Sequence, residues 1–283
     1  MAEKSRKKTS KHIFGKFILF LIFVFAVWWF NNYTLKTVET STVTPKVSKP
    51  VCLAVISDLH AHKYSISNSA VMKRIEKISP DAVIVLGDMY SRKSPQSEIN
   101  IAVELMADIA GKYETYFVSG DHDTSEDYFT SLRNSGVHVM NYKEEYTEIN
   151  GNTIQIMGID NVYYTDTFNL DNEFKVNQDC LSILLAHIPN YQKFADFGAD
   201  LTLCADTHGG MVRLPFIGAL FDALNGKFFP TLRKNYVVYD KGWFEYNGGA
   251  MFITSGIGDS PVPLRFCNRP EVVRIDILPA GGD

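Results

Sequence analysis

Aspartate and histidine recur along this chain in one setting, directly after a short apolar run. Val51–Ser57 (VCLAVIS) leads into Asp58-Leu59-His60, and Ala82–Leu86 (AVIVL) into Gly87-Asp88. Tyr116–Ser119 runs into Gly120-Asp121-His122-Asp123, Ser182–Ala186 into His187, and Leu201–Cys204 into Ala205-Asp206-Thr207-His208-Gly209-Gly210. Carboxylate oxygens and imidazole nitrogens hold divalent cations and move protons near neutral pH. Each fragment alone says little: a D-x-H triplet arises by chance, a Gly-Asp pair is usually a turn, and a lone histidine is more often hydrogen-bonded structure. Five of them at the ends of five apolar runs say more. Ends that lie side by side deliver their side chains to one place.

The runs are short and apolar throughout, as strands buried on both faces are. Ile154–Gly158 is another of the kind. Helices are expected at Ser69–Ile78, between the first two strands, and at Gln96–Lys112, between the second and third. This alternation predicts an α/β fold with at least one partly parallel sheet, in which ligands bind beyond the carboxyl ends of the strands. Residues 252–255 (FITS) and 271–278 (EVVRIDIL) read as late strands, and no internal repeat is present.

On these residues, from about Val51 to Leu278, the chain resembles the calcineurin-like metallophosphoesterases. The similarity is to the membrane-anchored bacterial branch, which includes phosphodiesterases and lipid-related pyrophosphatases. The tail TSGIGDSPVPLRFCNRPEVVRIDIL fits the S-x-G-x-G…P-x-R…PE pattern of that group. The resemblance implies a four-layer α/β/β/α sandwich with a two-metal site at one edge. It implies Asp58, His60, Asp88 and His208 as ligands of one divalent ion, and Asp88, Asp121, His187 and Asp206 as ligands of a second. His122 would stand outside both sets and donate a proton or hydrogen bond, oriented by Asp123. The implied reaction is hydrolysis of a phosphodiester or pyrophosphate bond, lipid-linked substrates included, by a hydroxide bridging the two metals.

Two positions depart from the family pattern. Asp121 stands where G-N-H-[DE] has asparagine, and Asp206 where G-H-T-H-G-G has histidine. Both residues offer an oxygen, so ligand number is kept while negative charge rises. Harder cations are then favoured, Mn²⁺ or Mg²⁺ (with Fe²⁺) over Zn²⁺. The competing expectation is a mononuclear or non-catalytic envelope protein on the same fold. Arg213 (GGMVRLP) and Arg265 (VPLRF) are expected to offer cationic contacts to the phosphate, with salt bridging as the plainer alternative.

Of the 283 residues, 46% are hydrophobic and 21% charged, enough for a real core. The net charge of −4 divides unevenly: residues 1–16 carry six Lys/Arg against Glu3 alone, or +5, leaving 22 basic and 31 acidic residues, or −9, beyond them. An acidic body without a basic stripe argues against a nucleic-acid partner. Phe17–Phe30 (FILFLIFVFAVWWF) has no charge and ends in paired tryptophans. Extended to Ile13, with Lys16 snorkelling, it approaches the ~20 residues that cross a bilayer.

Residues 1–12 therefore read as a basic cytoplasmic tail and 13–31 as a transmembrane anchor. Residues 32–50 read as a polar linker, and 51–283 as an extracytoplasmic catalytic domain of a single-pass cell-membrane protein. A cleaved signal peptide is the rival reading, but WWFNNYTLK has no small-x-small cleavage site. Cys52 and Cys204 fall in or beside apolar runs, as buried thiols do, and the sequence pairs none of the four cysteines, Cys180 and Cys267 included. The aromatic, glycine-rich stretch Phe216–Gly249 is expected to pack mostly in the core, with a loop near the site able to meet a lipid surface.

Overall fold

The structure, a computed structural model, describes residues 2–160, 168–222, 224–260 and 262–281, with side chains from Phe14 onward. The basic side chains before Phe14, and Ile13, lie outside the described residues. The chain opens with helix α1 (Ala2–Tyr33), then strands β1 (Lys36–Thr44) and β2 (Val51–Ile56). Next come α2 (Asn68–Ile78), β3 (Ala82–Val85), α3 (Gln96–Ala110), β4 (Glu114–Phe117), α4 (Glu126–Asn134) and β5 (His138–Val139). The second half holds β6 (Lys143–Ile149), β7 (Asn152–Ile159), β8 (Leu181–Ala186), α5 (Tyr191–Phe197) and β9 (Leu201–Cys204). Four two-residue strands follow: β10 (Arg213–Leu214), β11 (Gly218–Ala219), β12 (Phe221–Asp222) and β13 (Lys227–Phe228). The chain closes with β14 (Gly242–Tyr246), β15 (Gly249–Ile253) and β16 (Glu271–Pro279).

Two six-stranded sheets result, in the orders β1-β16-β2-β3-β4-β5 and β14-β15-β9-β8-β7-β6. The alternation of side chains along each strand decides the layers. Val51, Leu53 and Val55 of β2 and Ile84 of β3 meet Ile154, Ile156, Ile183, Leu185 and Leu203 of the other sheet in a shared core. The intervening residues, Ala54, Ile56, Val83 and Val85, face outward to α2, α3 and α4. On the far side Leu184, Ala186 and Cys204 pack against Phe194 and Phe197 of α5. The layers are thus helix, sheet, sheet, helix, the expected mixed α/β sandwich.

α2 shows why these segments are helices. Val71, Met72, Ile75 and Ile78 make one buried stripe, and Ser67 caps the start by accepting from the Ala70 N–H. Within each sheet the site-bearing strands run parallel: β2, β3 and β4 in one, β8 and β9 in the other. Their carboxyl ends therefore lie along one edge.

Residues 36–44 correct the linker reading. They form β1, paired in parallel with β16 from Lys36↔Glu271 to Thr44↔Pro279. An edge strand half open to water needs little apolar surface, so TVETSTVT carries the β-branched residues of a strand without a hydrophobic run. The region 216–249 splits. Tyr239, Phe244 and Tyr246 pack against the second sheet, whereas Phe216, Phe228 and Leu232 are exposed. All four cysteines are free thiols. Among the described residues, one helix segment, Phe14–Tyr33, is long and apolar enough to cross a membrane, with a mean hydropathy of 1.9.

Candidate metal centre

The chain turns sharply after each of the five strands, and the turns are tied to one another before any side chain meets. The Asp58 N–H donates to Gly87 O at 2.9 Å, and the His60 N–H to Asp88 O at 3.0 Å. Asp58, His60, Asp88, Asp206 and His208 all hold positive φ, between 42° and 65°. Non-glycine residues adopt that conformation at a cost, and the surrounding loops must impose it. Gly256 lets one such loop close in: a Cβ there would lie 2.5 Å from Asp58 Oδ2.

The side chains that these turns deliver converge. His187 Nε2 lies 3.4 Å from Asp88 Oδ2, 3.6 Å from Asp206 Oδ1 and 3.8 Å from Asp58 Oδ1. His208 Nε2 is 3.8 Å from Asp58 Oδ1 and 3.3 Å from His60 Nε2, whose ring also lies 3.6 Å from Asp88 Oδ2. Asp121, His187 and Asp206 form a further ligand-spaced group, so the geometry brings together all seven residues expected as metal ligands. His187 Nδ1–H donates to Leu86 O at 2.5 Å. A carbonyl can only accept, so Nε2 carries the free lone pair into the cluster.

Among the described residues, the buried side-chain atoms with no hydrogen-bond partner include Asp58 Oδ1, Asp58 Oδ2 and His187 Nε2. Asp58 Oδ1 and His187 Nε2 face each other at 3.8 Å, while Asp58 Oδ2 lies against the Gly256 loop. Burial pushes Asp58 up to about 7 and Asp206 up to about 6, and neighbouring carboxylates add to both. Burial pulls His60 down to about 4, and it pulls His208 well below the usual range, helped by Arg265. Asp88, Asp58 and Asp206 push His187 up against its burial, and a cation in their midst would take the Nε2 lone pair in place of that proton. Without a cation, the centre balances its carboxylates only with protons. A divalent ion is the group that such a donor set fits.

His122 and Asp123 part company. The His122 N–H donates to Asp88 Oδ1 at 2.9 Å, and its Nε2 faces the cluster 3.8 Å from Asp121 Oδ1. Asp123 does not orient it, contrary to expectation. Buried inside the turn, its carboxylate accepts the N–H groups of Asp88 at 2.6 Å, Gly120 at 3.0 Å and Met89 at 3.1 Å. Asp123 therefore fixes Asp88.

Neither arginine contacts the open site as expected. Arg265 is buried, with Nε donating to Gly258 O at 2.8 Å and NH2 to Ser255 O at 2.7 Å. Its other amino group donates to Asn268 O, and NH2 lies 3.5 Å from His208 Nδ1, so it braces the loops behind Asp58 and His208. Arg213 is held by Asp240 and donates to Gly209 O at 2.9 Å, fixing the Gly209-Gly210 turn. Backbone carbonyls within ten residues of each arginine, and the Asp240 carboxylate beside Arg213, claim both guanidinium groups.

The cation at the open rim is one the sequence reading passed over. Arg92 NH2 lies 3.5 Å from Asp121 Oδ2, and the Arg92 N–H donates to His122 Nδ1 at 2.9 Å. His62 and Asp259, paired at 2.9 Å, line a cavity that runs on from His60. The second histidine of DLHAH was a signal for that pair, two residues beyond a candidate ligand.

Fold and site together define a metal-dependent phosphoester hydrolase. Residues 53–210 match the profile of the calcineurin-like phosphoesterase family, to which the chain belongs. It is 24% identical over 225 residues to the uncharacterized metallophosphoesterase YkuE of Bacillus subtilis (strain 168), covering 76% of this chain and 75% of that one. It is 23% identical over 239 residues to the phosphodiesterase YaeI of Escherichia coli (strain K12), covering 81% and 83%. Among solved structures it is similar to Haemophilus influenzae NAD nucleotidase, with a TM-score of 0.46 and 17% identity. That match covers 75% of this chain but spans only 46% of the nucleotidase.

Proposed function

We propose that this protein hydrolyses a phosphodiester or pyrophosphate bond at a two-metal centre. One ion would be held by Asp58, His60, Asp88 and His208, and the other by Asp88, Asp121, His187 and Asp206. The observation that carries the reading is Asp58 Oδ1 and His187 Nε2, buried, without hydrogen-bond partners and 3.8 Å apart, within ligand-spaced groups that take in all seven residues. Bound ions supply charge neutralisation at the phosphoryl oxygens and activation of the attacking water.

The chain's own residues do the rest. The Arg92 N–H occupies the Nδ1 lone pair of His122, so the neutral ring carries its proton on Nε2, the nitrogen that faces the site. That N–H is placed to donate a hydrogen bond to the leaving oxygen. Asp123 holds the Asp88 backbone, Arg265 the loops behind Asp58 and His208, and Arg213 the Gly209-Gly210 turn.

Four carboxylates around the two ions favour Mn²⁺, with Mg²⁺ or Fe²⁺ next, over Zn²⁺. Helix α1 would span the cell membrane once, with its basic end in the cytoplasm and the body outside. The similarity to phosphodiesterase YaeI supports a diester, and the acidic body argues against nucleic acid.

The test is turnover of bis-p-nitrophenyl phosphate by the full chain with Mn²⁺, beside Asp88→Ala and with the matching monoester in parallel. Equal rates for wild type and variant would overturn the enzyme reading. A mononuclear centre is the second reading, favoured by Asp121, which is 41% exposed and drawn toward Arg92. Metal analysis of the loaded protein separates them: two ions per chain or one.

A further inference from the structure

The anchor helix is locked to the catalytic body. Trp28 Nε1–H donates to Pro263 O at 2.7 Å. Asn31 Oδ1 accepts the Cys267 N–H at 2.8 Å, and Asn32 Oδ1 the Arg265 N–H at 2.7 Å. Asn32 Nδ2 donates back to Arg265 O, and the Arg269 guanidinium lies 4.4 Å above the Phe30 ring. Asn31 and Asn32 are buried, so an apolar helix ends in two amides that the body itself satisfies. No linker intervenes, because Leu35 is already core and β1 starts at Lys36.

Topology puts this joint at the same end of the sheet as the metal centre. β1 runs parallel to β16, and β16 runs antiparallel to β2. The start of β1, and the foot of α1 with it, therefore sits where β2 and β3 hand over Asp58 and Asp88. Tryptophan at the end of a spanning helix marks the membrane–water interface. Pro263 is bonded to Trp28, so its neighbours Val262 and Leu264, 52% and 55% exposed, lie at that depth. A cavity of about 580 Å³ joins the two places, from His60 and Ser91 past His62 and Lys93 to Tyr33 and Pro263.

We infer that this cavity takes the headgroup of a membrane lipid, its phosphoester at the metal end and its chains left in the bilayer beside Val262 and Leu264. The volume suits a headgroup and not two acyl chains. The lining sets Lys93 and His62 beside the carboxylates of Glu98 and Asp259, and it reaches Tyr33 and Pro263. A residue of the anchor itself, Tyr33, forms part of the wall. The inference rests on the hydrolase reading above and on α1 spanning the membrane, and it narrows the substrate to one that the membrane presents.

The experiment uses the full chain in phosphatidylcholine vesicles with Mn²⁺, after a carbonate wash that retains only spanning proteins. Dioleoyl phosphatidylglycerol and CDP-dioleoylglycerol in the vesicles are compared with their water-soluble dihexanoyl counterparts, and bis-p-nitrophenyl phosphate is run alongside. At least one vesicle lipid should be cleaved about tenfold faster or more than its soluble counterpart, because confinement raises its concentration at the mouth.

A second measurement needs no substrate. In a Cys267→Ser background, bimane on Leu264→Cys should be quenched by nitroxide-labelled lipids, and bimane on Glu148→Cys, near the opposite end of the sheets, should not. An unquenched Leu264 label overturns the inference. So do vesicle lipids cleaved no faster than their soluble counterparts while the aryl diester turns over, an outcome that leaves the hydrolase reading standing. Loss of aryl-diester turnover as well would remove both, and release by carbonate would remove the spanning premise.

Discussion

The two proposed ligand sets, which share Asp88, are built differently. Asp58 and Asp88 are buried, and their backbones are tied to each other's turns, to Gly258 and to Asp123. Asp121 and Asp206 are 41% and 23% exposed, and the cation beside Asp121 is the exposed Arg92. Apart from the shared Asp88, only His187 gives the second set a buried ligand, fixed through Leu86 O. The first set is preorganised by the fold, at the cost of backbone strain at all four of its residues, whereas in the second set Asp206 and the shared Asp88 carry it. The second set is assembled at the rim, where water and Arg92 compete for the same oxygens. The first position should hold its ion tightly, and the second should exchange it.

The largest effect should come from the residue common to both sets. Asp88→Ala is expected to lower kcat roughly 10³-fold or more, beyond the 10–100-fold typical of groups that only support a ligand. Metal analysis should show both ions weakened. His122→Ala comes next, with a fall in kcat of about 10²–10⁴-fold and metal content unchanged. Loss of metal in that variant would place His122 among the ligands. Exchanging the halves then tests the contrast directly. Asp58→Ala should leave a chain that excess Mn²⁺ does not rescue, whereas Asp121→Ala should lose one ion at low Mn²⁺ and regain activity at high Mn²⁺. Equal behaviour of the two variants would erase the distinction. Asp123→Asn tests the bracing of the first set: it sets an amide N–H against backbone donors, and metal affinity should fall about 10–100-fold.

The same contrast explains what could be read from the sequence. β2, β3, β8 and β9 are buried on both faces, so each is a continuous apolar run, and the residue after each run is a candidate ligand. Those local patterns carried the sheets and all seven convergent side chains. What escaped depends on how loops and strands fold against one another, which no local pattern marks. β1 is a strand because β16 lies alongside it, more than two hundred residues later. Its own TVETSTVT carries no run to mark it. Arg265 has the look of a surface arginine until Ser255, Gly258 and Asn268 bring their carbonyls to it. Asp123 follows His122 directly, which suggested a pair, but successive residues in a turn point in different directions. It serves the neighbouring turn.

The smallest predicted effect probes how far the rigidity of the first set reaches. Asn32 is buried at the foot of α1, and its amide satisfies both backbone groups of Arg265. Asn32→Ala strands a buried N–H and a buried C=O, which costs about 1–3 kcal/mol. The loss falls on the loop that positions Arg265 behind His208 and Asp58. If anchor and metal centre are one rigid unit, this variant should show a lower melting temperature and a weaker first ion, with Asp121 and the second ion little changed. Asn32→Asp keeps the acceptor for the Arg265 N–H but sets a carboxylate against Arg265 O, so it should recover only part of the loss. A variant that melts earlier with both ions bound as in wild type would show that the clamp stabilises the body without setting the geometry of the site. The buried ligand set would then owe its order to Asp123 and the strand ends alone.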